Sequence, residues 1–195
     1  VDLRDPQRKR NEYSFTQQVE KVTDTEVWVR EKSAVLAGYE AQIKFDKQWN
    51  PIEAPLPDRS TIVRFEPYLP RFVFPLAPNR SWTGNFTVSN PGSSDLGEQG
   101  QSEGKVIAWE EVSVPAGRFK ALRIETLTPY YTGTRTPIIF AKPDLYGGAQ
   151  EQYWYVPELK NFVKYVRRDY LGRDQTRSTE AELIDYRLDD RAFVQ

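Results

Sequence analysis

Where apolar residues recur regularly in this chain they recur at every second position, the period of strands with one buried and one wet face. The cleanest case is 38–46, where Tyr39, Ala41, Ile43 and Phe45 alternate with Glu40, Gln42 and Lys44. Upstream, Tyr13, Phe15 and Val19 share a parity until Thr23-Asp24-Thr25-Glu26 interrupts and Val27-Trp28-Val29 starts again, which predicts a hairpin. Trp82–Val88 is a further strand. The strongest pair is Val106–Val114 and the run from Arg118 to Leu127, hinged on Pro115-Ala116-Gly117. Pro115 has the fixed φ wanted at the second turn position, and Gly117 can take the positive φ of a bulged hairpin. The last third predicts strands over Gln152–Val156 and Phe162–Tyr170 with a turn through Pro157–Asn161 between them, then a reversal at Leu171–Asp174. Thr179 and Glu182 have capping-box spacing, but Ile184, Tyr186 and Leu188 alternate, so Ser178–Leu188 is assigned as a strand.

Polar and proline-rich tracts separate these runs. Seven prolines fall between Pro51 and Pro78, which excludes a regular helix and predicts a long irregular or edge connection. A short strand at Thr61–Phe65 and apolar anchors at Tyr68, Phe72, Phe74 and Leu76 lie within it. Asn90–Gly100 has almost no apolar content and is expected to be a loop, as are Gly104-Lys105, Thr128–Pro137 and the break at Gly147-Gly148. The polar start, with Arg8-Lys9-Arg10, is expected to be a flexible segment over residues 1–12, ahead of one β domain over 13–195. The expected fold is all-β: a strongly curved antiparallel sheet or partly open barrel of roughly eight to ten strands.

Composition narrows the chemistry. The 195 residues include no His and no Cys, which removes imidazole bases, thiolate nucleophiles, disulfides and His or Cys metal ligands. Lys plus Arg number 27 against 28 Asp plus Glu, so no net field attracts nucleic acid. No apolar run approaches the ~20 residues of a membrane-spanning helix. The chain begins at Val1 and contains no Met, which points to a processed or trimmed start.

The remaining catalytic motifs are weak. Gly97, Gly100 and Gly104 are not followed by a phosphate-loop Gly-Lys-Ser/Thr, and no Ser sits in a nucleophile elbow. Glu110 and Glu111 are adjacent and point to opposite faces of a strand. Glu110 shares the parity of Val106, Val112 and Val114, and on a buried face it needs an Arg or Lys partner. No metal ligand set and no cofactor is implied.

Aromatic residues make up 13% of the chain. Rings with polar edges stack on sugars or line lipid pockets, and they equally fill twisted-sheet cores. Trp82, Trp109, Tyr153, Tyr155 and Tyr165 are the candidate ligand-binding residues. Alternation sends Tyr153 and Tyr155 to one face and Trp154 and Val156 to the other.

Phe74-Pro-Leu with Trp82, then Gly104–Glu125, then Tyr153-Trp-Tyr-Val-Pro-Glu-Leu-Lys-Asn161, resemble an uncharacterised family of exported, periplasmic or lipoprotein-like, bacterial β-rich proteins. Its recurring pieces are a valine-proline-alanine-glycine-threonine-phenylalanine hairpin and a tryptophan-tyrosine-x-proline-x-leucine-glycine segment. Here Arg118 replaces the threonine, and Lys160-Asn161 stands where the glycine turn falls. The resemblance implies export to the periplasm or association with the outer membrane, a half-open barrel of lipoprotein-carrier type, and no catalytic residues. Three functions are carried forward. The first is a non-catalytic envelope protein binding a lipid-like or other amphipathic ligand, or an envelope protein partner, on an aromatic-lined concave face. The second is an assembly module using a sheet edge. The third is a carboxylate-based glycan-active enzyme.

Overall fold

The computed structural model describes residues 12–55, 61–91, 97–131, 146–171 and 174–188. Its strands are β1 (Phe15–Val22), β2 (Glu26–Ser33), β3 (Glu40–Asp46), β4 (Pro51–Pro55), β5 (Ile62–Glu66), β6 (Ser81–Ser89), β7 (Glu98–Val114), β8 (Gly117–Tyr131), β9 (Tyr146–Val156), β10 (Asn161–Leu171) and β11 (Asp174–Glu182). They form one antiparallel sheet in sequence order, open between β1 and β11. The expected all-β, unclosed architecture is borne out, with eleven strands rather than eight to ten. The expected flexible start, up to residue 11, and residues 132–145 lie outside the described residues, while the expected loop from Thr128 is strand as far as Tyr131.

Several expected loops are strand. Pro51 does not end pairing but begins β4, a position where its missing N–H costs little. Glu98–Gly104 belongs to the long β7, and Gly147 and Gly148 pair with Tyr130 and Pro129 inside β9. Gly104 tolerates no side chain there, because an added Cβ would run into the indole of Trp82 on the neighbouring strand. At the other end the expected strand Ser178–Leu188 is cut short: β11 stops at Glu182, 183–188 is not strand, and its alternating Ile184, Tyr186 and Leu188 are all exposed.

The sheet has two unlike faces. One carries Val29, Ile43, Val106, Ile124 and Tyr153, all buried. The other is laced with ion pairs, among them Arg30 with Glu20 and Glu40, and Glu53 with Lys44 and Arg64. A β-bulge between Val106 and Ala108 exchanges the faces along β7. Beyond it Trp109 lies opposite Leu122, on the apolar side, and Glu110 lies opposite Ala121. The shared parity of Val106 and Glu110 is therefore lost, although Glu110 does find its cation: Arg123 donates to it at 3.0 Å and the Trp154 indole N–H at 2.9 Å.

The proline-rich segment 67–80 lies as a strap across the apolar face. Phe72, 0% exposed, is its anchor, packed on Tyr153 and Tyr155 at ring distances of 5.3 and 5.4 Å. Asn50, also 0% exposed, holds the strap by its backbone. Its amide donates to the Phe72 carbonyl (2.8 Å) and accepts from the N–H groups of Arg71 (2.9 Å) and Phe72 (2.6 Å). Trp82 closes the far end, donating to the Pro70 carbonyl at 3.1 Å. On the opposite face a second cluster of Val112, Ala121, Val156 and Val163 is covered by the segment after β11, where Leu183 exchanges backbone hydrogen bonds with Ala116 and Val163.

Candidate functional site

Between the strap and the turns at one end of the sheet is a groove of about 580 Å³. Trp109, Leu122 and Tyr155 come from β7, β8 and β9 on its floor; Phe74 and Leu76 come from the strap, and Trp49 from the turn between β3 and β4. Lys47 and Lys160 complete its lining, the latter from the turn after β9. The bulge in β7 is what delivers Trp109 here. Trp109 is 44% exposed and Phe74 36%, unusually open for large rings, whereas Tyr155 is 5% exposed and wedged beside Phe74 at 5.8 Å. Burial, with the negative charge of Glu158 behind it, pushes the Tyr155 hydroxyl above its ordinary pKa, so it remains a neutral donor. The ammonium of Lys120 lies 5.4 Å from the centre of the Trp109 ring.

Two groove residues have left-handed backbone: Trp49 at φ 65° and Lys160 at φ 52°. Lys160 ends the short 3-10 turn of Pro157–Leu159, its N–H returning to the Pro157 carbonyl. This is the place of the glycine in the resembling segment, and the geometry is the one glycine adopts without cost. A side chain there costs about 1–2 kcal/mol.

A larger depression of about 730 Å³ lies mainly on the ion-pair face, across β6 to β10. Thr83, Glu103, Lys105, Glu125, Gln150, Gln152 and Arg168 line it, with Leu127 the apolar exception. Trp82 reaches its rim. It is a polar trough, so the expected aromatic lining belongs to the smaller groove. Its carboxylates Glu103 and Glu125 come from neighbouring strands, the register pairing Glu125 with Lys105. Glu125 accepts on one carboxylate oxygen both from Arg123 of its own strand, at 2.9 Å, and from Gln152 of β9, at 3.0 Å.

The third constellation is buried beneath the strap. Glu151, 4% exposed, accepts from the Tyr165 hydroxyl (2.7 Å), Thr126 (3.2 Å) and Arg167 (3.3 Å). Arg167 also binds Asp169 at 2.8 Å, and the Arg71 guanidinium of the strap lies 5.1 Å over the Tyr153 ring. Burial alone would raise the Glu151 pKa; Arg167, Arg71 and the Tyr165 hydroxyl outweigh it and hold the carboxyl below its ordinary value. Burial pushes the hydroxyls of Tyr153 and Tyr165 well up, and the charge of Glu151 adds to the shift of both. Among the described residues, no group of three or more acidic, His or Cys side chains is placed to hold a metal ion.

The five sequence-expected residues are thus divided. Trp109 and Tyr155 line the groove together; Trp82 pins the strap, Tyr153 is wholly core, and Tyr165 serves the buried carboxylate. Sequence reasoning passed over Lys47 and Lys160 and assigned Phe74 and Leu76 to packing alone. The signal for Lys160 was there in the departure from glycine at that turn, and Trp49 belonged to the aromatic set that the sequence singles out; for Lys47 there was none.

No family model matches the chain, and no curated protein matches it. Among solved structures it is similar to a protein of Bacteroides fragilis NCTC 9343, described as a provisionally assigned exported protein with a YMCC-like fold, at 15% identity and a TM-score of 0.44 over 88% of this chain and 85% of that one.

Proposed function

We propose that the protein is a non-catalytic, exported binding protein that takes an amphipathic small molecule in the groove between the strap and the β9–β10 turn. The observation that carries this reading is the pair of half-exposed rings, Trp109 and Phe74, lining a recess of about 580 Å³ together with Tyr155. Recesses of that size, apolar with a few polar groups, are the usual form of small-ligand sites. The want of His and Cys supports a role without chemistry, and the sequence resemblance supports export. No helix among the described residues is long and apolar enough to cross a membrane.

The test is titration with a solvatochromic naphthylamine dye, followed by its displacement with dodecyl maltoside. Saturable binding is expected, weakened at least about tenfold in Trp109→Ala, since that ring is the largest half-exposed surface in the recess. Dye binding unchanged in that variant would refute the assignment of the groove. A second reading, assembly through a sheet edge, is supported by β1 and β11 being the two outermost strands of the sheet among the described residues. It predicts concentration-dependent mass by light scattering, abolished by a proline placed at Gln18 in the middle of β1.

A further inference from the structure

Over much of the ion-pair face, polar side chains satisfy one another across the strands. Lys44 and Arg64, opposite Glu53 in register, both pair with it, and Lys164 pairs with Glu180 and Glu182. The amides do the same: Gln99 donates to Thr87 at 2.8 Å and Gln101 to Asn85 at 2.9 Å. The trough across β6 to β10 differs. Register sets two rows in it, Ser81, Lys105, Glu125 and Gln152 in one, and Thr83, Glu103, Leu127, Gln150 and Arg168 in the other. Alternation turns these side chains away from the strap, since Trp82, Thr126 and Glu151 between them occupy the strap's side of the sheet. Yet among the described residues Glu103, Lys105, Gln150 and Arg168 make no side-chain hydrogen bond or ion pair, and the hydroxyls of Ser81 and Thr83 make none. Lys105 lies opposite Glu125 in register without bonding to it, and both bonds to Glu125 fall on one of its oxygens.

We propose that this trough binds an extended, uncharged oligosaccharide laid across β6 to β10, with Glu125, Leu127, Gln150 and Gln152 at its middle and Thr83 and Arg168 towards its ends. Charge selects the class of ligand. Lys105 and Arg168 are offset by Glu103 and Glu125, and Glu151 is paired with Arg167, so the lining has no net field for a polyanion or a polycation. It offers instead hydroxyl, amide, carboxylate and guanidinium groups side by side. That mixed set of donors and acceptors matches vicinal hydroxyls, each of which both gives and receives a hydrogen bond. The rows cross strands spaced ~4.8 Å apart, so a chain lying along them meets a new side chain at an interval close to the length of one sugar ring. Leu127, 41% exposed, is the apolar surface on which the C–H face of a ring rests. This is a second site, apart from the groove on the strap's side, and it stands whether or not the groove is occupied.

The experiment is an NMR titration of the isotope-labelled chain with cellohexaose, an extended neutral hexasaccharide, and with cellobiose. Saturable shifts of the Gln150 and Gln152 side-chain amides are expected, with affinity falling at least about tenfold from the hexasaccharide to the disaccharide as fewer strands are engaged. Because no net charge is involved, affinity should not change between low and high salt. Gln150→Ala, at an exposed position without partners, should weaken cellohexaose at least about fivefold, while Gln101→Ala, on the same face outside the trough, should leave it unchanged. Absence of shifts in the trough with cellohexaose overturns the proposal, as does equal affinity for cellobiose or parental affinity in Gln150→Ala. Binding of a sulfated hexasaccharide, lost with salt, in place of cellohexaose overturns the uncharged ligand. Displacement of the naphthylamine dye by cellohexaose puts the sugar in the groove and overturns the trough as its site.

Discussion

A carboxylate as deeply buried as Glu151 keeps its charge only while Arg167, Arg71 and the Tyr165 hydroxyl face it. Burial opposes ionisation and these partners outweigh it, so the folded-state pKa lies below the unfolded one. Stability from this group is therefore fully present above the ordinary carboxylate range and is lost as pH falls through the lowered folded value. Glu53, whose carboxyl is also held low despite burial by Lys44 and Arg64, acts in the same direction. Glu151→Gln is expected to cost about 3 kcal/mol near neutral pH by stranding buried guanidinium charge. It should also flatten the acid side of the stability profile, by up to about 1.4 kcal/mol per pH unit. Urea midpoints between neutral pH and the acid limb measure both; a variant with the parental slope would show that Glu151 is not the group that titrates.

The β7–β8 hairpin shows what an element owes to its turn and what it hides. Val114 pairs with Gly117 across Pro115-Ala116, and Gly117 has φ +136°. An added Cβ there meets nothing closer than Phe119 at 3.8 Å, so Gly117→Ala carries a backbone penalty and no clash. It should lower stability by about 1 kcal/mol and leave dye affinity unchanged, since Gly117 is not among the residues that line the groove. Loss of binding in the folded variant would place function at that turn. This hairpin was legible because turn chemistry and alternation agree in it. The bulge at Val106 to Ala108 was not: one extra residue reverses the parity of everything beyond it, and the local sequence, Val-Ile-Ala-Trp, has no glycine to announce it. Gly100 and Gly104 misled in the opposite sense, since their want of side chains makes room for Phe86 and Trp82 within paired strands. The strap was legible as irregular chain from its prolines, but its path across the apolar face depends on Asn50 meeting Phe72, a contact between residues 22 apart that no local pattern encodes.

At the scale of the whole molecule, a meander in which each strand pairs only with its sequence neighbours has little to bind its two ends into one cooperative unit. The apolar face is divided accordingly, with Val27, Val29, Ile43 and Phe45 in one cluster and Phe72, Val106, Leu122, Ile124, Tyr153 and Tyr155 in another. Trp49 packs against both, 5.2 Å from the Phe45 ring on one side and within the groove on the other. Its left-handed backbone is the strain that lets one ring serve two clusters. Trp49→Ala should therefore do more than remove buried area worth about 3 kcal/mol. It should uncouple the halves, so that amide protection falls at Val29 and Ile43 by a larger factor than at Ile124 and Tyr153, and urea transitions followed by different probes cease to coincide. A uniform loss of protection across all eleven strands would mean that the strap, through Asn50, carries the coupling instead. Because the same ring lines the groove, a ligand seated there touches both clusters, and dodecyl maltoside at a hundred times its dissociation constant should raise stability by about 2.7 kcal/mol in the parent chain. In Trp49→Ala the residual stabilisation should be confined to the amides of β7–β10, since the ligand would then hold only the half of the sheet that still borders it.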